Sequence, residues 1–72
     1  RHVSLEELAY HAWAGGDVRR SLRYNEIAGD KAAAVHASSD AQRYYARARS
    51  LMEMDSVAYR RLTEKLDAVG GA

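Results

Sequence analysis

The stretch "SDAQRYYARARSL", residues 39–51, sets two adjacent tyrosines among alanines and arginines. Its reading decides the fold, because the pattern marks either a chemical site or the packed side of a helix. Ala41, Tyr44, Tyr45, Ala48, Leu51 and Met52 recur at i, i+3, i+4, i+7, i+10 and i+11, the spacing of one helical stripe. Arg43, Arg47 and Arg49 fall elsewhere on the wheel. Small residues one turn apart let two helix backbones approach, and an aromatic between them fills the remaining gap. Packing is therefore the stronger reading. Ser39, with Gln42 three residues on, predicts the helix start as a capping box.

The flanking sequence continues in the same style. There is no proline, β-branched residues are few, and helix formers dominate, so the class is all-α. Ser4 and Glu7 form a capping box for a first helix, with Val3 and Leu8 as a hydrophobic staple. Leu5, Leu8, Ala9, Ala12 and Trp13 make its apolar stripe, and Gly15 or Gly16 ends it in the left-handed conformation. Asp17 caps a second helix. There Ser21, Asn25 and Ala28 form a narrow small-residue ridge between the larger Leu22, Tyr24 and Ile27. Gly29 either breaks this helix or sits inside one running to about Ala37. The second is favoured, since nothing near Gly29 supplies a loop and an interior glycine costs only about 1 kcal/mol. Asp55 is the expected cap of the last helix. Val57, Ala58, Leu62, Leu66 and Val69 form its apolar face, and Gly70-Gly71 is the closing punctuation. Connections of two or three residues make consecutive helices antiparallel neighbours.

Ala41-x-x-x-Tyr45-x-x-Ala48 resembles the second helix of a tetratricopeptide (TPR) repeat. Leu5, Leu8, Ala9 and Ala12 resemble its first helix, and Ser21-x-x-x-Asn25-x-x-Ala28 is a poorer copy of the second. The two second-helix patterns start at Ser21 and Ala41, 20 residues apart, whereas such units repeat at about 34. Glu53 stands where a repeat-closing proline is usual. The chain is thus similar to degenerate TPR-like helical tails of large bacterial regulators, including ATP-binding LuxR-type activators and cyclases with an AAA-like ATPase. The Ala-Gly-Gly-Asp turn at 14–17 and the Arg-Tyr-x-x-x-Ala-Gly-Asp stretch at 23–30 share in that likeness. It implies a right-handed array of four helices, or five if Gly29 breaks the second. The implied role is protein–protein interaction or scaffolding in a cytoplasmic signalling or transcriptional regulatory protein.

The totals bound what else to expect. At 72 residues one small domain, 1–72, is the ceiling, and fourteen of those residues are Ala. A core of that kind supplies on the order of 3–5 kcal/mol net. Beginning at Arg1, the sequence reads as a fragment of a larger protein. Nine Arg, two Lys and the alanine excess hint at a GC-rich bacterial genome. Cysteine is absent, which excludes disulfides and thiolate metal sites. No apolar run approaches the roughly 20 residues of a membrane span. A net charge of +1 argues against nucleic acid or an anionic membrane. His2, His11 and His36 have no ligand spacing, and no catalytic constellation or nucleotide-binding glycine loop is visible. Neither an enzymatic activity nor a cofactor is expected.

A protein or peptide partner is expected instead. The candidate partner-binding residues are Tyr10, Trp13, Arg19, Arg23, Tyr24, Arg43, Arg47 and Tyr59, aromatics and arginines of the kind enriched at interface hot spots. Their competing role is a solvated face balanced by Glu26, Glu53 and Asp55. A helix-turn-helix DNA-binding domain is the alternative, but Tyr44 and Tyr45 would interrupt a recognition face on the third helix. Only one of two apolar faces, Tyr10–Trp13 or Leu62–Leu66–Val69, can be covered within so short a chain. A homodimer through the other is the resulting expectation, the alternative being a monomer in which the last helix, backed by Arg60, Arg61, Glu64 and Lys65, acts as a polar cap.

Overall fold

The computed structural model describes residues 2–70, and within them the chain is all-helical, with four helices and no strand. These are α1 (Leu5–Ala14), α2 (Val18–Ala34), α3 (Ser38–Ser50) and α4 (Val57–Gly70). Gly71, the last residue of the closing punctuation, lies outside the described residues. None of the helices is long and apolar enough to cross a membrane.

Local rules set most boundaries. Ser4 and Glu7 close the full capping box at α1, and the Asp17 carboxylate accepts the Arg20 N–H at the start of α2. Gly16, at φ 72°, carries the left-handed turn after α1. The Gly16 N–H bonds the Trp13 carbonyl and the Asp17 N–H the Ala12 carbonyl, a Schellman closure. The same closure recurs after α2, where the Ala37 N–H bonds the Ala32 carbonyl. There the left-handed residue is His36, at φ 60°. That turn ends α2 at Ala34, three residues before the expected Ala37.

Two expected caps are corrected. Because the His36 turn delivers the chain directly into α3, Ala37 occupies the cap position with no side-chain bond, and Ser39 lies inside the helix. Gln42 instead reaches the Val69 carbonyl at 3.3 Å. At α4 the capping oxygen belongs to Ser56, which accepts the Tyr59 N–H at 3.1 Å, and not to Asp55. The chain leaves α3 at Leu51, so the last connection spans 51–56 and is longer than expected.

Helix α2 runs unbroken through Gly29, and the reason lies on α3. A Cβ on Gly29 would sit 2.5 Å from Cε1 of Tyr45. The bare glycine backbone is the surface on which that ring lies. Adjacent helical positions point about 100° apart, so the two tyrosines enter different seams. Tyr45 packs with Ala41, Ala48 and Leu62, and with Leu22, Leu66 and Val69 around them. Tyr44 packs with Ala9 and Ala28, flanked by Leu5 and Tyr24. The Leu62–Leu66–Val69 face is thus the one covered by folding back. Val57, expected on that face, is instead 71% exposed at the first position of α4.

The helices pack in series, α1 on α2, α2 on α3 and α3 on α4, with α1 touching α3 lightly. The ridge of Ser21, Asn25 and Ala28 is wholly buried between α1 and α3. Asn25 is its stitch: the side-chain amide donates to the Ala9 carbonyl and to the Ser21 carbonyl, both at 3.0 Å.

Candidate functional site

The eight candidate residues separate into three places. The first is the edge where α1 lies beside α3. Arg47 projects from α3 across the rings of Trp13 at 5.1 Å, Tyr10 at 5.4 Å and Tyr44 at 6.0 Å. The Trp13 indole N–H donates to the Ser50 hydroxyl at 2.9 Å. That hydroxyl donates to the Arg47 carbonyl at 2.8 Å. Trp13, Ser50 and Arg47 therefore close a ring of contacts in which each holds the next. Tyr10 and Trp13 stand 6.1 Å apart, and Tyr10 is 47% exposed.

At the other end of this edge Arg43 lies over the Tyr44 ring at 5.1 Å and pairs with Asp40 at 3.3 Å. The Tyr44 hydroxyl donates to Glu6 at 3.2 Å. Burial, and then the Glu6 carboxylate, push the Tyr44 phenol above its ordinary pKa. A mostly apolar cleft of 410 Å³ continues beyond it, lined by Leu5, Ala28, Ala32, Val35 and Tyr44 among others.

The second place is the start of α2. Arg19, Arg23 and Tyr24 line a polar cleft of 710 Å³ with Asp17, Arg20 and Leu22. Asp17 is already committed: the Arg20 backbone N–H, then the Arg20 guanidinium at 3.0 Å, hold its carboxyl below the usual range. Tyr59 occupies the third place, under Arg49 at 5.1 Å on the α3/α4 side.

Sequence reasoning named Tyr10, Trp13 and Arg47 without foreseeing that they meet, and it missed Ser50 and the Glu6–Tyr44 bond. It also missed an ionic clasp between α2 and α4. Arg61 reaches Glu26 at 2.7 Å, and Lys65 lies 3.0 Å from Glu26 and 2.9 Å from Asp30. The Tyr45 hydroxyl donates to the same Asp30 at 2.6 Å. The Arg61 hydrogen bond, helped by Lys65, holds Glu26 below the ordinary carboxylate value of 4.5. Burial works against the charge on Lys65, but Asp30 and Glu26 together keep its pKa above 10.5. Burial, then the bond to Asp30, push the Tyr45 phenol well above 10.0. Opposite charges 35 residues apart in sequence carry no local signal of pairing.

All three histidines are exposed, and no three metal-ligating side chains converge among the described residues. Comparison with protein-family models, curated proteins and solved structures returned no match to this chain.

Proposed function

We propose that this chain is a TPR-like helical module, non-enzymatic, that binds a protein partner as part of a larger cytoplasmic bacterial regulatory protein. The observation that carries the interaction role is the Tyr10–Trp13–Arg47 cluster. Two large aromatics and an arginine are gathered at one edge, and the ring of Tyr10 remains half in solvent. Such residue types carry most of the binding energy where proteins meet.

The antiparallel-hairpin array is supported by the order of cross-helix contacts. Glu6 meets Tyr44 and Trp13 meets Ser50, so α1 and α3 ascend together. Leu5 and Ala9 pack near Ala28, with Asn25 bonded to Ala9, so α2 descends between them. The Cα extents of 38 × 29 × 14 Å describe a slab. Its thickness suits two helix layers at the usual separation of about 8–10 Å. Helices α1 and α4 make no extended contact, which favours an open array over a closed bundle.

The test is amide chemical-shift mapping with pooled peptides and, separately, a short DNA duplex. The proposal expects peptide-induced shifts concentrated at Tyr10, Trp13, Arg47 and Ser50. Saturable shifts from the duplex alone, centred on Arg19–Tyr24, would replace it with the DNA-binding alternative.

A further inference from the structure

We infer that Arg47 is a receptor for a carboxylate of the partner, an acidic side chain on a polypeptide segment lying along the α1/α3 edge. This rests on the protein-interaction reading above and adds the chemistry of the partner to it.

The argument starts from what holds Arg47 and what does not. Three rings, at 5.1, 5.4 and 6.0 Å, surround its guanidinium. A cation–π contact uses the charge of the guanidinium and leaves its N–H donors available for hydrogen bonds. Those donors have no hydrogen-bond acceptor or carboxylate among the described residues. The side chain is half-buried all the same. The acidic groups nearest along this edge are engaged elsewhere, Glu6 by the Tyr44 hydroxyl and Asp40 by Arg43. In the α2–α4 clasp the opposite holds, and both cations have carboxylates.

The position of Arg47 is fixed before any ligand arrives. Its own carbonyl anchors the Ser50 hydroxyl that holds the Trp13 indole on which it lies. Preorganisation lowers the ordering cost of binding. The rings also displace part of the water around the half-buried guanidinium, which strengthens a pair formed with it. A planar fork with free edge donors matches a carboxylate in two-point geometry. The exposed Tyr10 ring then offers an apolar wall for the residue beside that carboxylate. Charge complementarity thus selects an acidic peptide segment as the occupant.

Trp13 is the only tryptophan, so its fluorescence reports on this place directly. The chain is titrated with a peptide of repeating Glu-Ser-Leu and with its Gln-Ser-Leu counterpart. The parent chain, Arg47→Gln and Arg47→Lys are compared, with circular dichroism confirming the fold of each. The Glu peptide should bind the parent saturably and at least about tenfold more tightly than the Gln peptide. Arg47→Gln should abolish that preference, and Arg47→Lys, lacking the planar fork, should keep only part of it. Equal affinity for the two peptides, or an undiminished preference in folded Arg47→Gln, overturns the role of Arg47 and leaves the interaction reading standing. If neither peptide binds, and Trp13 responds only to duplex DNA, only to the chain's own concentration or to nothing, both readings fail together.

Discussion

The two edges of α3 use the same residue types to opposite ends. Toward α2 and α4, Tyr45 is buried on Gly29, its hydroxyl is bonded to Asp30, and Lys65 and Arg61 are neutralised by Glu26 and Asp30. Toward α1, Tyr10 is 47% exposed, Trp13 is partly buried, and Arg47 lies over their rings without a counterion among the described residues. A seam with its shape filled and its charges paired has nothing left to offer a partner. An edge with rigid aromatics and unpaired donors does. Burial and pairing, not composition, separate the closed seam from the open edge.

The largest effect expected from breaking this contrast is at Tyr45. Tyr45→Ala removes the ring between α2, α3 and α4 and should cost about 3–5 kcal/mol, enough to unfold so small a domain. A thermal melt within a few degrees of the parent would show that this seam is not the core. Gly29→Ala comes next. In most helices that change stabilises by up to about 1 kcal/mol. Here the new Cβ meets the Tyr45 ring, and overpacking should reverse the sign to a loss of about 1–3 kcal/mol in urea unfolding.

A smaller change of the opposite sign is expected at the second turn. His36→Gly relieves a left-handed non-glycine residue and should raise stability by up to about 1 kcal/mol. Lost activity of the Schellman closure, seen as a lower melting temperature, would contradict it.

The clasp sharpens the comparison through pH. Glu26 is held below 4.5 when folded. Its contribution is therefore present above that value and is lost as pH falls through the lower folded value. Tyr45 and Lys65 are raised above 10.0 and 10.5, so their contributions hold at neutral pH and fade as pH rises beyond those values. Arg61 is substantially solvated, so the Glu26 pair is worth no more than about 1 kcal/mol. Melts across a pH series should show an acid loss in the parent that is smaller in Glu26→Gln. A parallel decline in both would remove Glu26 from the account.

The stripe from Ala41 to Ala48 and the caps at Ser4 and Asp17 were legible because their signals are local, three or four residues long, whereas the equally local Ser39–Gln42 pair does not cap. The glycine at 29 was readable as helical, but the ring that requires it stands sixteen residues away on another helix. The end of α2 was hidden because His36 adopts a conformation that sequence assigns to glycine. Asp55 and Ser56 are adjacent good caps, and only the path from Leu51 selects the serine. The eight candidate residues were named from their types. That Tyr10, Trp13 and Arg47 meet in one cluster, with Arg43 farther along the same edge and the other four elsewhere, follows from packing that no short window contains.

The most direct measurement runs stability and binding side by side on two variants. Chemical denaturation and Trp13-monitored titration with the Glu-Ser-Leu peptide are applied to Glu26→Gln and Arg47→Gln. Glu26→Gln should lose stability and bind as the parent does. Arg47→Gln should stay folded, giving up at most the roughly 1 kcal/mol of its ring contacts, and lose its preference for the acidic peptide. If the two properties move together in both variants, the division between a closed seam and an open working edge is wrong.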